Sequence, residues 1–101
     1  NKTKILYKVA VLEYRFQKKS CVASDAALKP LMYYIKRYGK KDKENLWKIY
    51  MRISQHYLAL GKMKKALVYT RMAYKASPKT VRSEVAKSIH KLKSTLLEEE
   101  K

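Results

Sequence analysis

Apolar and polar residues alternate along this chain at three- and four-residue steps, the period of helices that bury one face. Ile5, Leu6, Val9, Leu12 and Phe16 mark the inner side of a first predicted helix over about Lys4 to Lys19, with Lys4, Lys8, Arg15 and Lys18 outside. A second segment opens near Ser24, an N-cap residue type, and stops at Gly39; Leu31, Tyr34, Ile35 and Tyr38 form its apolar face. Pro30 interrupts it, so either the helix kinks there or Ser24 to Lys29 form a separate turn and the main helix starts at Pro30. Lys40 to Asn45, KKDKEN, reads as a polar linker.

The next two helices are the most strongly marked. One covers about Glu44 to Leu60, with Leu46, Trp47, Tyr50, Ile53, Tyr57 and Leu60 facing inward. Gly61 lets the chain reverse, because glycine accepts the left-handed backbone conformation that other residues resist. The other covers about Met63 to Ala76, where Ala66, Ala73 and Ala76 permit close approach to its neighbour. Ser77-Pro78 then reads as an N-cap and first-turn proline opening a fifth helix. Val81, Val85, Ile89, Leu92 and Leu96 give that helix a narrow stripe flanked by lysines, suited to capping a stack or to pairing residues 81–97 with another copy. The tail from Glu98 to Lys101 is expected to fray.

Composition narrows the class. A 101-residue chain with 47% hydrophobic residues but only two Gly and two Pro lacks the turns of an all-β fold and is expected to be all-α. Its longest apolar run, Leu31 to Ile35, is far short of the ~18 residues a membrane span needs. Lysine and arginine number 25 against 8 acids, a net charge of +17 that attracts polyanions or acidic protein segments. Cys21 is the sole cysteine, so no internal disulfide forms and an intracellular setting, cytoplasmic or nuclear, is expected, with Cys21 a buried structural thiol. The chain opens at Asn1 rather than Met and is read as a segment of a larger protein.

The inventory offers little for catalysis. Gly39 and Gly61 cannot build a phosphate loop, and His56 and His90 fall on different helices, the first as a packing residue and the second exposed. No paired-carboxylate site, metal site or cofactor is expected. Tyr33, Tyr34, Arg37, Tyr38, Lys40, Lys41 and Lys43 interleave aromatics with cations, a pattern that suits base stacking beside phosphate contacts. Lys36, Arg37, Lys40, Lys41 and Lys43 are therefore candidates for contact with nucleic acid or an acidic surface.

Tyr50, Ile53, Ser54, Tyr57, Gly61, Ala66, Ala73 and Pro78 stand at spacings that resemble one 34-residue tetratricopeptide repeat over residues 47–80. Thr70 departs from the pattern, which favours a bulky aromatic there, and the adjacent Tyr69 is expected to substitute. The resemblance implies antiparallel helix pairs stacked as a short right-handed solenoid: an irregular pair in residues 1–39, a linker in 40–45, the repeat in 46–80 and a capping helix in 81–101. It further implies a groove lined by Lys48, Met51, Arg52, Gln55 and Ala59. In members of the family that grip acidic chaperone tails, a Lys and an Arg occupy the positions of Lys48 and Arg52. The function so implied is a non-catalytic protein-interaction module for a helix or acidic peptide, the alternative being a basic helical domain that binds RNA or DNA.

Overall fold

The computed structural model describes residues 2–20 and 25–99; Cys21 and Ser24, and the side chains of Lys4 and Lys18, lie outside that description. Five α-helices account for most of it: α1 Lys2–Ser20, α2 Lys29–Tyr38, α3 Lys43–Ala59, α4 Met63–Ala76 and α5 Lys79–Glu99. A 3-10 turn, Asp25–Leu28, leads into α2, and there is no strand among the described residues. The separate-turn alternative holds at Pro30, which occupies the first turn of α2, where its missing N–H breaks no helical hydrogen bond.

The densest packing joins α3 to α4. Gly61 reverses the chain with a φ of 77°, in the left-handed region. Ala66 is fully buried in one cluster with Ile49, Ile53 and Tyr57, so no side-chain bulk separates the two backbones there, and Ala73 further along α4 is fully buried as well. Thr70, which departs from the repeat pattern, is also fully buried and donates its hydroxyl to the Ala66 carbonyl at 2.8 Å. Its single proton being spent there, Ser54 donates to Thr70 across the interface at 2.5 Å. Tyr69 does not take over the Thr70 position. Its ring stacks on Tyr57 at 5.6 Å, and its hydroxyl meets the Met32 sulfur of α2 at 3.8 Å.

The corner between α2 and α3 is tighter than KKDKEN suggests, because α3 already begins at Lys43. Asp42 is its N-cap and accepts from the Asn45 backbone N–H at 3.3 Å and from Asn45 Nδ2 at 3.1–3.2 Å, while the Tyr34 hydroxyl also donates to it. Asp42 and Asn45 are therefore buried although the segment reads as a solvated linker. Gly39 ends α2 in the ordinary right-handed conformation, at φ −56°. Crowding explains the glycine: a Cβ there would sit 2.5 Å from the Ile35 carbonyl oxygen and 3.2 Å from Leu46 Cδ1.

Two further expectations are corrected. Ser77 closes α4 rather than opening α5; its hydroxyl donates back to the Tyr74 carbonyl at 2.8 Å. On α1, the residues turned inward are Ala10, Val11 and Tyr14, with Leu6 and Tyr7 packed beside them, whereas Ile5, Val9, Leu12 and Phe16 face out. Both sides of α1 are apolar, so its period is compatible with either orientation. Tyr14 decides the matter in part, since its hydroxyl bonds His56 Nδ1 of α3 at 3.0 Å. The α5 stripe is occupied within the chain, with Val85 and Leu92 buried and α4 as its neighbour.

Tyr7 meets Tyr34, which bonds Asp42 at the start of α3, and Tyr14 meets His56 near the end of α3, so α1 and α3 point the same way. The α4–α5 turn lies beside the start of α3 while Leu92 lies beside Leu58, so α5 shares that direction as well. With α2 and α4 antiparallel to these three, the molecule is a slab of 47 × 35 × 17 Å.

Two outcomes are expected. Ala66→Trp has no space at a fully buried contact and should cost about 3 kcal/mol or more, read as a large drop in the thermal midpoint by circular dichroism. Burial first, then the Asp42 hydrogen bond, holds the Tyr34 hydroxyl protonated well above the usual tyrosine range. An unfolded tyrosine ionises near pH 10, so the stability tied to Tyr34 is complete below about pH 10 and is lost as pH rises further. Phenylalanine has no such proton. The stability advantage of wild type over Tyr34→Phe should therefore shrink between about pH 9 and about pH 11 in paired urea titrations.

Candidate docking groove

Helix α3 has three kinds of surface around its axis. Ile49, Ile53, Ser54 and Tyr57 are packed away. Arg52 and His56 lie toward α1: His56 bonds Tyr14, and the Arg52 charge partly offsets the burial that raises the Tyr14 hydroxyl pKa. Met51, Gln55 and Leu58 lie toward α5 and, with Ser54 and Thr70 at the base, line a groove of ≈ 280 Å³. Met63 and the α5 residues Ser88, Lys91, Leu92 and Thr95 complete it.

The groove pairs two flexible thioethers and two leucines with the ammonium of Lys91 and small hydroxyls, and no carboxylate lines it. Beside it, along the same edge of α3, a cleft of ≈ 470 Å³ is bordered by Lys43, Glu44, Trp47 and Lys48, with Ala76, Ser77 and Pro78 opposite. Together they form a strip along one edge of α3, walled opposite by the α4–α5 turn and then by α5, that offers apolar anchors with lysines at intervals and one acid, Glu44, in the cleft. Such a surface matches one face of an acidic amphipathic segment, in which carboxylates flank apolar side chains.

The structure thus divides the four residues expected to bind a partner. Met51 and Gln55 meet in the groove, Lys48 lies in the adjoining cleft, and Arg52 turns toward Tyr14. The i, i+4 relation of Lys48 and Arg52 does not make them a joint pincer, because α1 flanks one side of α3 and α5 the other. Ala59 is exposed near the end of the same helix. Lys91 joins the site from α5; it occupies a position that repeat spacing turns inward, and only packing shows that a cation there meets Met51 and Gln55. Trp47, assigned to the core by periodicity, is a half-buried wall of the cleft.

The second set of cations divides as well. Lys36 and Arg37 share a shallow depression of ≈ 340 Å³ with Tyr33. The Tyr38 and Tyr33 hydroxyls beside Arg37 hold its guanidinium above its usual pKa. Lys40 and Lys41 are exposed at the corner, while Asp42 between them and Lys43 faces inward onto Tyr34 and Asn45. Lys43 belongs with Lys48 in the cleft. No helix among the described residues is long and apolar enough to cross a membrane, and none of their His, Cys, Asp and Glu side chains form a group of three able to hold a metal.

No protein-family model matches the chain, and no solved structure matches it. It is similar to a thioredoxin-related protein named DsbJ from Chlamydia pneumoniae, with 33% identity over 94 residues. The match covers 88% of this chain but 27% of that protein, so the chain spans about a quarter of the length of the curated relative it matches.

Proposed function

We propose that this chain is a non-catalytic, tetratricopeptide-like docking module, and that the strip between α3 and α5 takes an acidic helix or peptide of a partner protein. The observation that carries this reading is the ≈ 280 Å³ groove, where Met51, Leu58 and Leu92 lie beside Lys91 and no acid is among the lining residues. The buried Ala66 and Ala73, the left-handed Gly61 and the common direction of α1, α3 and α5 support a short right-handed solenoid of helix pairs. In such an arrangement the inner helices supply the binding wall. The relative's name points to thiol chemistry, but this chain holds one cysteine, and a Cys-x-x-Cys pair needs two. A role in holding a partner suits the segment better than a role in exchanging disulfides.

The test is fluorescence anisotropy with a labelled amphipathic peptide carrying Glu beside Leu. Lys48→Glu with Lys91→Glu should weaken binding more than tenfold, because each reversal replaces attraction by repulsion, and the thermal midpoint should stay near wild type since both side chains are exposed. Undiminished binding would sink the groove assignment. A basic domain that binds RNA or DNA is the second reading, favoured by the Tyr33–Lys36–Arg37 depression and by the inward turn of Asp42, which leaves Lys40 and Lys41 exposed while that carboxylate is taken up by Tyr34 and Asn45. On that reading, affinity for a single-stranded oligonucleotide falls steeply between about 50 and 200 mM salt, and Lys40→Ala with Lys41→Ala flattens that dependence. Binding confined to the peptide, with no oligonucleotide retained at low salt, excludes it.

A further inference from the structure

The outward side of α1 has a chemistry of its own. Ile5 is 62% exposed, Val9 43%, Leu12 63% and Phe16 72%, and the four follow one another at steps of four, three and four. They form one stripe about 16 Å long on the side of α1 opposite Tyr7, Ala10, Val11 and Tyr14. Exposed apolar side chains are ordinary when scattered, but a contiguous row along a helix marks a contact surface. The spacing is that of a two-heptad coiled-coil seam, with Ile5 and Leu12 at the d positions and Val9 and Phe16 at the a positions. A β-branched residue at a with leucine at d, as at Val9 and Leu12, favours two strands in parallel.

We infer that this stripe is a self-association surface, and that its occupant is α1 of a second copy of this chain, aligned in parallel. The flanking charges select that occupant and that direction. Lys8 and Arg15 border the stripe on one side and Glu13 on the other, all exposed. In a parallel pair, a residue beside the seam meets the residue five positions on in the other strand, so Lys8 meets Glu13 of the second copy, twice by symmetry. In an antiparallel symmetric pair each flank would face itself, setting Lys8 and Arg15 against their own counterparts. The surface is small against that of a standard interface, so the association is weak. Two copies at +17 each also repel, a repulsion that salt screens. Dimerisation through α1 therefore strengthens as salt rises, the opposite of polyanion binding, and it does not depend on the α3–α5 groove.

Sedimentation equilibrium of the 101-residue chain at about 0.5 mM tests this, with salt near 50 and near 500 mM. The expected result is a monomer–dimer equilibrium that tightens at the higher salt. Leu12→Glu should raise the dissociation constant at least tenfold and leave helicity and melting of the monomer unchanged. Lys8→Glu and Glu13→Lys should each weaken the dimer although they change net charge in opposite directions, and the double exchange Lys8→Glu with Glu13→Lys should restore it. A monomer at both salts, or a dimer indifferent to Leu12→Glu, overturns the proposal. Failure of the double exchange overturns the parallel register. Monomers that bind phosphatidylserine vesicles through Leu12 instead would assign the stripe to an anionic lipid surface.

Discussion

The close approach of α3 and α4 is the contact on which the rest of the molecule depends. It rests on a small residue, Ala66, packed in one cluster with Ile49, Ile53 and Tyr57 without an intervening side chain. At that separation a hydroxyl pair spans the interface, and Ser54 and Thr70 satisfy each other and the Ala66 carbonyl with no buried donor left over. A large aromatic at position 70 would hold the helices further apart. Threonine there lets Tyr69 turn toward α2 and join the ring stack with Tyr57. The same pairing orients α3 so that Met51, Gln55 and Leu58 are left toward α5, and α4 in turn carries α5 to the far wall of the groove.

Around that pair, buried polar contacts fix how α1 and α2 attach. Asp42 caps α3 and takes the Tyr34 hydroxyl, tying α2 to the first turn of α3, and Tyr14 ties α1 to His56 one helix further in. Hydroxyls and a carboxylate are costly to bury alone, and each here has a partner. Directional bonds of this kind discriminate between packings that apolar area alone leaves nearly equal. They give α1 a defined rotation, and with it a defined outer face.

Much of this architecture was legible along the chain. Helical periodicity located all five helices, Gly61 located the left-handed reversal, and the alanines of α4 located the closest contact, since each of these signals is local. Sequence-based boundaries failed where a side chain had two available uses. Ser77 is a good N-cap residue type, yet it serves the end of α4; Asp42 and Asn45 look solvated, yet they are buried because Tyr34 arrives above them. The docking site was legible in part for the same reason. Met51 and Gln55 follow from repeat spacing on one helix, while Lys91 and Lys43 enter through neighbours that spacing cannot weigh.

By itself, then, the sequence determined an all-helical chain, the order and approximate limits of its helices, the position of the left-handed turn at Gly61 and an excess of cations that suits acidic partners. Tertiary structure decided which side of α1 is covered, which cations share a cleft and which of them turn away, as Arg52 does toward Tyr14. The physical reason is that period and propensity act within a turn or two of helix. A helix with two apolar faces, such as α1, satisfies them equally in either rotation. Only a specific partner, here His56 on a helix 42 residues away along the chain, breaks that tie.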